Sequence, residues 1–181
     1  MIVQKTNPIG IDKVIDSMQL HLESKLAFAN WENNHRAYIN PKISGQDGFI
    51  AEVYVSNGEY RECFYNDYFN ATSFFITSDS ANVESGNRIS QVVSWILQCD
   101  LKKLAPSIVH RADEEIRNKV FNAFKSMIGM YEIDSIETGI NNVYREFERS
   151  KLKNNNMSNL YVLRVNVQVK YDSTCCDNCT F

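Results

Sequence analysis

Glycine-rich phosphate loops are missing from this 181-residue chain. Its seven glycines are scattered singly at turns, and neither a Walker-type loop nor a Gly-x-Gly-x-x-Gly occurs. A Gly-x-Ser-x-Gly nucleophile elbow is missing too. Only three histidines are present, His21, His35 and His110, and they lie far apart in the sequence. The adjacent carboxylates Glu114 and Glu115 diverge on a helix and do not share a proton site easily. No defined context for a nucleophile or an acid–base pair emerges, so no catalytic, cofactor or metal residues are assigned. No apolar run reaches membrane-spanning length. The opening Met-Ile-Val-Gln-Lys-Thr-Asn-Pro lacks the apolar core and cleavage pattern of a signal peptide, which implies folding in a cytoplasm. Basic charge is in short supply as well, with 19 Lys and Arg against 22 Asp and Glu. The basic stripe of a DNA-binding domain is therefore not expected. Lys102-Lys103 and Lys151–Lys153 read as solvated loop ends.

The five cysteines divide into two groups. Cys63 and Cys99 sit in apolar segments and read as buried thiols. Cys175, Cys176 and Cys179 crowd the end as Cys-Cys-Asp-Asn-Cys, which supplies half of a zinc ligand set with no histidine nearby. The plain reading is a tail, 173–181, with incidental thiols; a metal shared between copies and an intersubunit disulfide are the alternatives. The whole chain has ordinary proportions of 44% hydrophobic and 23% charged residues, and what remains, 1–172, suits one soluble domain with a substantial core.

The clearest pattern lies at Leu160–Asp172. Tyr161, Leu163, Val165, Val167, Val169 and Tyr171 fall on one face, and Arg164, Asn166, Gln168 and Lys170 on the other. Such sustained alternation predicts a long strand with one buried and one wet face. Ile11, Val14, Ile15, Met18, Leu22 and Leu26 repeat at helical spacing and predict a helix to about Phe28. His21 sits beside that stripe, as a surface or boundary residue. Trp31–Asn40 reads as transitional, with a short strand at Arg36–Ile39, and Pro41–Gly48 as a loop. Phe49–Val55 and Tyr60–Tyr65 flank Asn57-Gly58, a strong hairpin signal.

Thr72–Thr77 is a further apolar strand, and Ser78–Asn87 a polar loop long enough for a functional tip or an interface arm. Ile89–Leu101 fits either period; its Val-Val-Ser-Trp-Ile content favours a strand. Asp113-Glu114-Glu115 places negative charge in the first turn of a second helix. Its stripe runs Ile116, Val120, Ala123, Phe124, Met127, Ile128 and Tyr131. His110 precedes it as a loop residue. Ile133–Ile136 predicts a short strand, Ile140–Phe147 a short amphipathic stripe, and Lys151–Asn159 a polar loop. The expected fold is α+β, a mixed or antiparallel sheet with a β-hairpin and a long C-terminal strand, the helices packed on one face.

This order of elements resembles that of the tail terminator, or tail completion, proteins of tailed bacteriophages. The opening Ile11-Asp-Lys-Val-Ile-Asp-Ser-Met-Gln to Leu26 is similar to their first helix. Ile136-Glu-Thr-Gly-Ile-Asn-Asn-Val-Tyr-Arg-Glu-Phe147 is similar in placement to the segment before their last strand, and Met157–Tyr171 to that strand. The resemblance implies a virion protein, assembled in the host cytoplasm, that forms a ring, commonly a hexamer. Such a ring caps the tail tube and docks to the neck or head–tail connector. DNA only passes through the lumen, and an acidic balance suits that passage because attraction to phosphates would slow it.

Contacts in such a ring are spread over area. The expected interface residues are Asn57 and Gly58 at the hairpin tip, Asp79, Asn82, Glu84 and Asn87 in the long loop, and Lys151, Lys153 and Asn155 before the last strand. The alternatives are a small ligand-binding domain or enzyme, marked by a deep polar pocket, and a monomeric adaptor module with one exposed patch.

Overall fold

A computed structural model describes residues 1–41, 49–84, 86–127, 131–147 and 158–172. Its backbone is an α+β arrangement built on a six-stranded mixed sheet. The strands are β1 (Ile2–Val3), β2 (Trp31–Arg36), β6 (Ala71–Val83), β7 (Arg88–Asp100), β8 (Tyr131–Thr138) and β9 (Leu160–Asp172). They lie side by side in the order β1-β2-β6-β7-β9-β8. The first two pairings are parallel and the remaining three antiparallel. A second, antiparallel sheet contains β3 (Tyr38–Pro41), β4 (Phe49–Ser56) and β5 (Glu59–Glu62).

Helix α1 (Ile11–Leu26) makes the crossover between the parallel strands β1 and β2, and α3 (Asp113–Lys125) packs beside it. Their stripes close over one face of the large sheet. Ile15, Met18, Leu22 and Leu26 of α1 and Ile116, Val120, Ala123 and Phe124 of α3 meet Trp31, Phe75, Trp95, Leu97 and the odd-numbered face of β9. Trp95 lies at the centre, edge-on to Trp31 with centroids 6.5 Å apart and tilted against Phe124 at 5.6 Å. Acidic side chains occupy the first turn of α3, and Lys25 and Lys125 the last turns of α1 and α3, each opposing the helix dipole.

The opposite face holds a second core. Ala51 and Val53 of the small sheet, the segment Cys63–Tyr65, and Val143, Tyr144 and Phe147 pack on Phe74, Ile76, Ile96, Leu160 and Val162. Gln98 fastens the Cys63–Tyr65 segment, donating from Nε2 to the Cys63 carbonyl at 2.8 Å and accepting from the Tyr65 N–H at 2.7 Å. The two long helices share one face as expected, but the single turn α4 (Ile140–Val143) lies on the other.

Several boundaries differ from the sequence reading. The segment Trp31–Arg36 is a full strand between β1 and β6, not a transition. Its polar run, Glu32-Asn33-Asn34-His35, carries no period-two signal, yet all four residues are buried. Asn33 finds polar partners: the Gln19 amide donates to its carbonyl at 2.9 Å, and its Nδ2 donates to Glu23 Oε2 at 2.8 Å. Ser78–Val83 is strand, not loop: β6 and β7 stay paired out to Val83 and Ile89 past an irregularity between Thr77 and Ala81. Ile89–Leu101 is β7, the strand favoured over the helix, with Leu101 opening the short turn α2 (Leu101–Leu104). The strand expected at Ile133–Ile136 extends to Tyr131–Thr138, and that expected at Tyr60–Tyr65 stops at Glu62. The stripe at Ile140–Phe147 is helical for one turn only, though Val143, Tyr144 and Phe147 are buried as its spacing implies.

Candidate assembly interface

The long β6–β7 pair positions the first group of expected interface residues. Strand β2 pairs with β6 only as far as Phe75, so beyond that point the β6 edge has no strand partner among the described residues. From Asp79 to Val83 every side chain is exposed, Val83 at 77%. Strand β7 here keeps β9 on its other side, down to Arg88 opposite Asp172. The result is a three-stranded arm that carries Asp79, Asn82, Glu84 and Asn87 together. The Glu84 N–H donates to the Arg88 carbonyl at 2.9 Å, and Glu84 Oε1 lies 2.9 Å from Lys170 Nζ. Arg88 stands 4.0 Å from Asp172. Asp79 makes no ion pair among the described residues.

Asn57 and Gly58 sit on the other sheet, at the tip of the β4–β5 hairpin. Both have positive φ, 50° and 80°, the geometry of a tight two-residue hairpin turn. The outer face of that sheet is aromatic: Tyr60 is edge-on to both Tyr54 and Tyr38, with centroids 5.5 and 5.9 Å apart. The structure thus does not join the hairpin tip to the arm within one element. Lys151, Lys153 and Asn155 lie outside the described residues, as do the thiols at 175, 176 and 179 and residues 42–48 of the segment expected to be a loop.

A buried charged network, which alternation did not reveal, covers the even-numbered face of β9 beside the arm. The face expected to be wet is closed at Arg164 and Asn166, both buried. Arg164 donates from Nη1 to Glu146 Oε1 at 2.6 Å, from Nη2 to Ser94 Oγ at 3.0 Å and from Nε to Asn166 Oδ1 at 2.9 Å. Asn166 in turn donates to Ser135 Oγ at 2.8 Å and Glu137 Oε1 at 2.9 Å, and Arg145 holds the other Glu137 oxygen at 2.7 Å. The register pairs these residues directly, Ser94 with Asn166 and Glu137 with Arg164. A cavity of about 350 Å³ opens next to this network, walled by Ile39, Ile76, Val92 and Asp79 as well as Arg164 and Glu146. Each charge in the network faces an opposite charge, which describes a structural tie.

The far end of the sheet holds a groove. Two depressions of about 680 and 150 Å³ share Arg111 as a common wall. Leu160, Ile140 and Asn142 line the larger; Lys102, Val109 and His110 line the smaller. Val109 is fully exposed, and Arg111 and His110 pair locally with Asp113 and Glu115 at 3.2 and 3.3 Å. Ser158 and Asn159 also stand on this wall.

His21 Nε2 lies 3.2 Å from the Ala123 carbonyl and 3.0 Å from Ser126 Oγ, so it joins α1 to α3. His35 is buried beside a small cleft of about 60 Å³, and that burial lowers its pKa against the opposing pull of Asp12. Burial also pushes the Cys63 and Cys99 thiols far above the ordinary range, which makes them inert. Among the described residues, no group of three or more His, Cys, Asp or Glu is arranged to hold a metal ion. No helix there is long and apolar enough to cross a membrane. Comparison with family models, with curated proteins and with solved structures finds no match to this chain.

Proposed function

We propose that this chain is a structural subunit of a tailed-phage virion, a tail terminator or neck component rather than an enzyme. In this reading, copies close into a ring, a hexamer, that caps the tail tube and docks to the head connector, while DNA passes through the lumen. The observation that carries it is the exposed three-stranded arm: Asp79–Val83 are ordered in a strand without being buried in their own subunit. A strand edge left open among the described residues, with an apolar Val83 near its end, is an aggregation liability in a protein that works alone. It is an asset in one whose neighbour covers it. Ring closure requires heterologous contacts, in which one patch meets a different patch on the next copy. The buried Arg164 network supports the reading by stiffening the base of the arm through Ser94 and Asn166.

Light scattering on the purified chain, followed by negative-stain imaging, tests the proposal. Closed particles of about six subunits are the expected result, and a monomer at every concentration counts against it.

A further inference from the structure

Strand β2 leaves the sheet before β6 does. Its last paired residue, Arg36, sits opposite Phe75, and the Phe75 carbonyl accepts from the Ala37 N–H at 2.7 Å. From there the chain turns away into β3, while β6 runs on to Val83. The cavity of about 350 Å³ lies in the wedge between them, with Ile39 of β3 on one side and Ile76–Asp79 of β6 on the other. Thr77, Ser78 and Asp79 all line it, although successive strand residues point to opposite faces, so the cavity reaches the edge of β6 itself. Peptide groups in a strand turn to the same neighbour at every second residue. Thr77 therefore turns its N–H and C=O the way Phe75 does, toward a position that no strand fills among the described residues.

The walls of the wedge are aliphatic, from Ile39, Ile76 and Val92, and Glu146 and Arg164 also line it. Arg164 is matched by Glu146 at 2.6 Å, and Arg145 by Glu137 at 2.7 Å. Toward the tip of the arm Lys170 is matched by Glu84, and Arg88 by Asp172. Where β2 ends, Arg36 is held by Asp12, which also holds Lys5. That leaves Asp79, an exposed carboxylate on the cavity wall with no ion pair among the described residues.

An open strand edge recognises extended backbone, and a recess beside it recognises the side chain which that backbone presents. A lone carboxylate recognises a cation. From these three features together we infer that the wedge takes an extended segment of a partner protein, whose lysine or arginine side chain enters the cavity. The segment's backbone pairs with β6 at Thr77. The methylenes of its long side chain pack on Ile39, Ile76 and Val92, and its cationic head meets Asp79.

The partner is a different protein and not a second copy. Among the described residues, the strands with an open outer edge besides β6 are β1, β3, β5 and β8. They carry one cation between them, Arg61, and it already pairs with Glu32 at 2.8 Å. Strand β8 would instead bring Glu132, Asp134 and Glu137, which Asp79 repels. Docking at the root of the arm leaves Val83 at its tip to a neighbouring copy, and it does not depend on ring closure.

Capped fluorescent peptides test it, with threonine and valine alternating around a central lysine. Three controls replace that lysine by norleucine, replace it by glutamate, or keep it and N-methylate the backbone. In anisotropy titrations the lysine peptide is expected to bind the parent chain saturably, and each control about tenfold more weakly. Asp79→Asn is expected to erase the preference for lysine over norleucine. Its circular dichroism and melting temperature should match the parent chain, because the residue is exposed. The absence of saturable binding, equal binding of the lysine and norleucine peptides, or indifference to N-methylation overturns the inference. A lysine preference that survives Asp79→Asn overturns it as well. If the parent forms rings that the lysine peptide disperses, the wedge belongs to a second copy; the separate partner is then overturned and the ring reading stands.

Discussion

Arg164 Nη1 and Glu146 Oε1 meet at 2.6 Å on a sheet face that strand alternation alone would give to water. The arginine side chain is only 7% exposed and the glutamate 29%. Deleting one partner leaves a buried guanidinium short of its counter-ion, a loss of about 3–5 kcal/mol for a fully buried pair. Here Ser94 and Asn166 still accept from Arg164, and Glu146 is partly in water. Glu146→Gln should therefore cost less, about 1–2 kcal/mol. A lowered urea midpoint with an unchanged m-value is the expected outcome. No loss at all would mean that the pair is not formed in solution.

Gly58 carries a φ of 80°, and a β-carbon placed there would meet nothing within 4 Å. The penalty of Gly58→Ala is thus purely one of backbone conformation, about 1 kcal/mol. Thermal melting should fall by a few degrees, about 2–4 °C for a chain of this size. Because the hairpin belongs to the small sheet, the variant should leave assembly through the arm intact.

His35 provides a pH signature. Desolvation by burial holds its pKa below the ordinary 6.5, with Asp12 and Asp16 pulling the other way and Lys5 adding to the depression. The unfolded chain therefore binds a proton first as pH falls through about 6.5, and the folded form follows only lower down. Stability contributed by neutral His35 is present above that value and is lost as pH falls towards the folded pKa, by at most about 1.4 kcal/mol per unit of pH. Urea unfolding between pH 7 and 5 should show this slope, and His35→Gln should flatten it. Equal slopes in the two proteins would contradict the burial of a neutral imidazole.

Cys63 and Cys99 are 1% and 0% exposed, and burial raises both thiols far from reactivity. Titration with a chromogenic disulfide should therefore leave them unlabelled in the native state and count two further thiols on adding denaturant. Labelling of either one in the native protein, located by peptide mapping, would show that its core opens readily.

How much of this was legible beforehand depended on which signal each segment carried. Strand β9 was readable because its odd positions are apolar over thirteen residues, and α1 and α3 because their stripes keep helical spacing. The tight turn at Asn57-Gly58 follows from the conformational needs of a two-residue hairpin, which those residues meet. Strand β2 was hidden because its buried side chains are polar, Asn33 donating to Glu23 on a helix that sequence alone does not place beside it and Glu32 pairing with Arg61. The distal half of β6 was hidden for the opposite reason: with Asp79–Val83 exposed on both faces, there is no alternation to read. Of the expected interface, Asp79, Asn82, Glu84 and Asn87 do come together on the arm. The groove at Lys102, Val109 and Arg111 was not foreseen, because its walls come from α2, the approach to α3 and the start of β9. No spacing in the sequence joins those segments.

The most direct test of the account is the mass of the purified protein in solution. Light scattering over a wide concentration range should show particles of about six times the 20.9 kDa subunit, with negative stain resolving closed rings. A species that stays at 20.9 kDa at every concentration would contradict the assembly reading and return the exposed arm to an unexplained feature of a monomer.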